Sequence, residues 1–202
     1  MSSTPRIRTF LAIELPEAQK TRFAAMERDF AEHASILKWV TPSLLHITVR
    51  FLGGVPEPVL AAVEEAARRS GSAIEPFVLH FSGLGAFPTE RVPRVLWVGL
   101  RDDPGMVSFR KLFAHLEHEL VERGFEPEER AFSPHLTLAR VRDGATTVER
   151  RLLGDTLDRM KAERQINGRF EVHGLAVMRS DLGRNGPAYT RMTLAPLGPV
   201  RL

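Results

Sequence analysis

Residues 44–52 read "LLHITVRFL", a run of strand-forming apolar residues that carries a histidine and a threonine two positions apart. Successive side chains in a strand point to opposite faces, so His46 and Thr48 project together, with Arg50 next in line. Ile47, Val49 and Phe51 then face the other way, toward a core. Residues 133–141, "SPHLTLARV", repeat the pattern. His135 and Thr137 share one face and Leu136 and Leu138 the other. Arg140 falls formally with the apolar set, which puts it past the strand end or at a bulge. One such strand alone reads as an edge histidine with a satisfied hydrogen bond. Two of them, in a chain with only seven histidines, point to a shared purpose.

Around these two strands, residues 9–15 alternate and read as a strand. A helix follows from Glu17 to about Glu32, with Phe23, Met26 and Phe30 at helical spacing. Residues 37–40 are a short extended piece ended by Thr41-Pro42, and the strand over 44–52 closes at Gly53-Gly54. Residues 56–69 form an alanine-rich helix with a glycine stop at Gly71. Strands over 75–82 and 94–100 flank a loop holding Gly83, Gly85 and Pro88. Asp103-Pro104 starts the longest helix, which runs to Arg123 and stops at Gly124. Residues 147–163 are helical, and strands over 169–178 and 188–194 are joined by a Gly/Asn/Pro-rich turn. No βαβ rhythm demands a parallel sheet, so the class is α+β, mainly antiparallel, with a His-x-Thr strand in each half.

The composition narrows the chemistry. The chain has 202 residues, 43% hydrophobic and 26% charged, enough to bury a core without staples. It has no cysteine, which excludes disulfides, thiolate metal sites and a cysteine nucleophile and suits a reducing compartment. Net charge is +3 and the pI about 9.8. That excludes a general polycationic coat but leaves room for local arginines on one or two phosphates. The opening "MSSTPRIR" leads into a strand and not a signal peptide, and no stretch is long enough to span a bilayer. A cytoplasmic, monomeric protein is expected.

Two imidazoles suit proton transfer near neutral pH: a neutral ring takes a proton from water, and a protonated ring gives one to a leaving oxygen. A threonine hydroxyl two residues along can donate to a non-bridging phosphate oxygen. Such a set supports in-line attack on a phosphodiester. No carboxylate cluster with metal-ligand spacing competes for the role.

The paired "HITV" and "HLTL", 89 residues apart, resemble the 2H phosphoesterase superfamily. More narrowly, "RTFLAIELP", "LKWVTPSLLHITVRFLG", "GLGAFPTERVPRVLWVGL", "RAFSPHLTLAR" and "RSDLGRNGPAYT" resemble the RNA 2',3'-cyclic phosphodiesterases, also called 2'-5' RNA ligases. One departure is Gly54, where an acidic residue often follows "FLG". The resemblance implies that residues 1–202 form a single bilobal, pseudo-twofold domain with one His-x-Thr strand per lobe facing a central cleft. It also implies metal-independent, cofactor-free opening of RNA 2',3'-cyclic phosphate ends to 2'-phosphates, with some members joining RNA ends. His46 would then be the proton donor and His135 the proton acceptor, with Thr48 and Thr137 gripping the phosphate. Spacing alone does not assign acid and base. The partners would be RNA ends or cyclic nucleotide phosphates. The rival readings are a phosphodiesterase acting on small cyclic nucleotides or 2'-5' oligonucleotides, and a non-catalytic RNA-end binder.

Arg50, Arg94 and Arg140 lie on or beside the proposed cleft strands, where a guanidinium suits a phosphate or stands as a solvated edge residue. Phe87 and Tyr189 are candidates to stack a base. Phe51 is a weaker one, because alternation turns it toward the core. His115 and His118 lack the order of a metal motif and read as a solvated helix face. "GGVPEP" and "GLGAFP" read as turns.

Overall fold

The computed structural model describes residues 4–183 and 186–198. The fold is α+β, with nine strands among the described residues, all paired antiparallel. In chain order these are β1 (Arg6–Glu14), β2 (Leu37–Trp39), β3 (His46–Pro56), β4 (Phe77–Phe87), β5 (Val95–Leu100), β6 (Leu136–Val141), β7 (Arg169–Val172), β8 (Gly174–Gly183) and β9 (Gly186–Pro196). The helices are α1 (Glu17–Ala24), α2 (Leu60–Ser72), α3 (Pro104–Val121) and α4 (Thr147–Glu163).

The strand order is β7-β4-β5-β6-β3-β1-β8-β9, and β2 also pairs with β6. The two strands singled out by sequence, β3 and β6, therefore lie side by side at the centre. They are joined by one residue pair, Ile47 opposite Leu136, both wholly buried. Beyond it β6 pairs with β2 instead, so the two halves of the sheet diverge from this point.

Helix ends follow local chemistry. The Asp103 carboxylate accepts from the Gly105 and Met106 amides at 2.9 and 3.2 Å, with Pro104 in the first turn of α3. Thr146 and Glu149 form a reciprocal capping box that starts α4 where the sequence places it. One apolar core holds Leu11, Ile13, Ile47, Phe81, Leu112, Leu136 and Leu157. A second, smaller cluster sits on the other face of β1: Phe10, Ala12, Ala176 and Met178, with Tyr189 against it.

Several boundaries differ from expectation, most of them at glycines. β3 continues through Gly53-Gly54 to Pro56, and β4 runs through Gly83 and Gly85. Gly53 and Gly83 both adopt φ +71°, and the ladder slips beside each, so these glycines make bulges and not chain ends. The expected strand over 169–178 is two strands: β7 pairs with β4, and after His173 the chain crosses to β1 and β9 as β8. The first helix gives way to a 3-10 segment over Ala25–His33, with Phe30 off helical geometry (φ −118°, ψ 23°) yet buried. Gly71 lies inside α2 and not beyond it, pressed against the Pro196 carbonyl. Of the expected final turn, Arg184 and Asn185 lie outside the described residues.

Candidate active site

The single Ile47–Leu136 pair positions the site. In an antiparallel pair, the neighbours of opposed residues also face each other, so His46 is set beside Thr137 and Thr48 beside His135. The apolar pair points into the core, and the four polar side chains emerge on the other face.

Both imidazoles are held in the same way. His46 Nδ1 donates to the Leu44 carbonyl at 2.7 Å, and His135 Nδ1 donates to the Ser133 carbonyl at 2.8 Å. Each ring thus bonds the carbonyl two residues before it, which places the proton of the neutral ring on Nδ1 and leaves Nε2 for chemistry. The Thr48 hydroxyl lies 3.2 Å from His46 Nε2. Two aromatic rings pack against each imidazole. Phe10 and Tyr189 lie 5.0 and 5.3 Å from His46, Tyr189 edge-on. Phe87 and Trp97 lie 5.0 and 6.1 Å from His135.

Burial pushes both imidazoles below the ordinary histidine range, since a charged ring loses water. Their neighbours differ. At His46 the Leu44 carbonyl and then the Glu14 carboxylate oppose that fall, while His135 adds to it. At His135 the Ser133 carbonyl opposes it, and the Arg140 guanidinium adds to it. Charge therefore favours the proton on His46 over His135.

A cleft of about 610 Å³ opens over His46, Thr48 and Thr137. Its walls include Phe10, Trp39 and Tyr189, and its cations are Arg8, Lys38 and Arg140. No carboxylate lines it among the described residues, so the cleft attracts anions.

A pair of matched bulges decides which residues reach this cleft. On β3, Thr48 registers with Ala12 but Arg50 with Leu11, so Val49 is an extra residue. On β6, Thr137 registers with Trp97 but Ala139 with Leu96, so Leu138 is extra. Each bulge sends two successive residues backward and returns the third after the threonine to the cleft. Arg140 reaches the cleft for this reason: of the two placements expected for it, past the strand end or at a bulge, it follows the bulge at Leu138. The same slip corrects two expectations on β3. Phe51, expected in the core, is 42% exposed and lines the cleft. Arg50, expected beside Thr48, turns away: it meets Glu117 at 2.8 Å, Glu128 at 2.6 Å and the Glu126 carbonyl at 2.7 Å. Its donors are committed to that ion-pair cluster.

Arg94 is also displaced. Trp97 packs beside His135 and shares its face of β5 with Val95, so Arg94 takes the opposite parity, and it is exposed outside the residues lining the cleft. His115 and His118 are exposed on α3, as expected. Sequence reading missed Phe10, Trp97, Arg8, Lys38 and Glu14. Phe10 and Ala12 alternate with Leu11 and Ile13, but all four are buried, so hydropathy does not distinguish the cleft face of β1.

An antiparallel α+β scaffold with two alike-anchored imidazoles on adjacent central strands, one of them lining an anion-attracting cleft, has the architecture of the 2H phosphoesterases. The chain belongs to the LigT-like phosphoesterase family, whose profile matches residues 13–97 and 100–189. It is 32% identical over 187 residues to a Methanothermobacter thermautotrophicus protein named RNA 2',3'-cyclic phosphodiesterase, covering 93% of this chain and 97% of that one. An Aeropyrum pernix protein of the same name is 37% identical over 163 residues, covering 80% of this chain and 88% of that one. Among solved structures, a Thermus thermophilus protein is 27% identical with a TM-score of 0.75, covering 96% of this chain and 100% of that one. Escherichia coli LigT in complex with 3'-AMP shares the fold, with a TM-score of 0.72 over 95% of this chain and 98% of that one. Its identity is 24%.

Proposed function

We propose that this protein hydrolyses RNA 2',3'-cyclic phosphate ends to 2'-phosphates by paired-histidine acid/base catalysis without a metal. The observation that carries the reading is the shared Nδ1 anchoring of His46 and His135, which leaves two Nε2 atoms for proton transfer beside two threonine hydroxyls. The relatives' shared name supports the substrate class.

In this mechanism the cyclic phosphate sits between the rings, its non-bridging oxygens accepting from Thr48 and Thr137. Arg140 balances its charge. His135 Nε2 takes a proton from water as the water oxygen bonds to phosphorus. The bond from phosphorus to the 3' oxygen breaks, and His46 Nε2 gives that oxygen its proton. The carboxylate of Glu14 and the arriving phosphate anion both favour the protonated form of His46, whereas Arg140 favours the neutral form of His135. With a ribose hydroxyl in place of water, the same geometry serves 2'-5' joining of RNA ends. In this reading Tyr189, which packs beside His46, and Phe87, which packs beside His135, contact the terminal nucleoside.

The test is incubation of EDTA-treated protein with an RNA oligomer ending in a 2',3'-cyclic phosphate. Conversion to the 2'-phosphate, lost in both His46→Ala and His135→Ala, is the expected result. RNA binding without conversion would instead make the protein an RNA-end binder.

A further inference from the structure

Acid, base and phosphate grip leave two conspicuous cleft residues without a task. Phe51 exposes 42% of its surface, unusual for a phenylalanine in a central strand, and the Arg8 guanidinium stands 4.6 Å from its ring centroid. Thr48 registers with Ala12 and Phe51 with Phe10, two residues along β1, so the ring lies about 7 Å along the strand from the phosphate grip. That is comparable with the step from one phosphate to the next in an extended RNA strand. The RNA also has somewhere to go: a groove of about 800 Å³ shares Phe51 with the cleft and is lined by Arg6, Arg123 and Arg130 together with Glu126, Glu128 and Glu129, a mixed-charge surface that supplies room and not attraction.

We propose that Arg8 and Phe51 form a subsite for the nucleotide immediately 5' of the cyclic end, so that the substrate is an oligonucleotide end and not a cyclic mononucleotide. The inference rests on the function proposed above. The aromatic face stacks the penultimate base, and the guanidinium holds both that plane and the phosphate joining the last two nucleosides. A mononucleotide has neither group, so it occupies only the catalytic half of the cleft. Stacking is indifferent to base identity, so the subsite reads length rather than sequence.

The test compares kcat/KM for adenosine 2',3'-cyclic phosphate with that for an ApA dinucleotide carrying the same cyclic end. Wild type should prefer the dinucleotide by about tenfold, the usual scale of one stacked base. Phe51→Leu and Arg8→Gln should each shrink the preference at least about fivefold. Added salt should erode the part due to Arg8. Arg8→Lys, which keeps the charge but loses the plane, should fall between. Equal kcat/KM for the two substrates in wild type, or an equal loss on both in Phe51→Leu, overturns the subsite. The second outcome would give Phe51 to the terminal base. Turnover of neither substrate overturns the underlying function instead, so the two failures are distinguishable.

Discussion

His46 and His135 are built alike but charged differently, and that difference is testable. Either His→Ala change should lower kcat by about 10² to 10⁴, the usual worth of a positioned acid or base. Turnover should fall far more than the melting temperature, because His46 lines the cleft and His135 is only partly buried. The pH profile of kcat/KM separates their roles. The base must be neutral, so activity rises as pH climbs through its pKa; the acid must be protonated, so activity falls above its own. Arg140 holds the His135 value down, and Arg140→Gln should move the rising limb to higher pH. Glu14 holds the His46 value up, and Glu14→Gln should move the falling limb to lower pH. If the two shifts appear on the opposite limbs, the acid and base are reversed.

At the scale of elements, bulges and close packing matter more than alternation. Arg50 shows the cost of misreading a bulge: a residue that belongs to the cleft by parity is instead an ion-pair anchor between β3, α3 and the segment after it. Arg50→Ala should cost about 3 kcal/mol in urea unfolding, because Glu117 and Glu128 are left half-buried and unpaired. Adding Glu117→Gln should recover part of that loss, whereas a true substrate contact would show up in KM. Gly85 is the second case. A Cβ there would run into the Trp97 indole, which packs beside His135. Gly85→Ala should therefore destabilise by about 1–3 kcal/mol and lower kcat, readable as a fall in both melting temperature and turnover. Neither effect is visible in the chain order. The positions of Glu117 and Glu128 relative to Arg50, and of Trp97 relative to Gly85, exist only once strands are paired.

Across the whole molecule, burial pushes three histidines below their ordinary range: His33, which bonds the Thr156 hydroxyl at 2.9 Å, together with His46 and His135. In the unfolded chain each returns to about its ordinary value of 6.5. Above that pH both states are neutral, and the stability these rings contribute is fully present. As pH falls through 6.5 the unfolded chain binds protons first, so stability should drop, levelling once pH passes the lowered folded values. The shifted carboxylates Glu32, Glu65 and Glu149 act only below their ordinary value of 4.5, outside this window. Urea unfolding at a series of pH values should show the drop, and His33→Gln should flatten it without loss of turnover. An unchanged slope in that variant would remove His33 from the account.

The amino-acid sequence by itself determined the paired His-x-Thr strands, the α+β class, the start of α4 at its capping box and the family. Each of these rests on local chemistry: period-two alternation, a cap written within four residues, or a contiguous motif. Tertiary structure alone decided what surrounds the motif. The two strands meet at a single residue pair, 89 positions apart in the chain, and extra residues at Val49 and Leu138 reverse the alternation just beyond each threonine. A bulge is defined by the partner strand it slips against. For that reason Arg140 and Phe51 enter the cleft while Arg50 leaves it for carboxylates contributed by other elements.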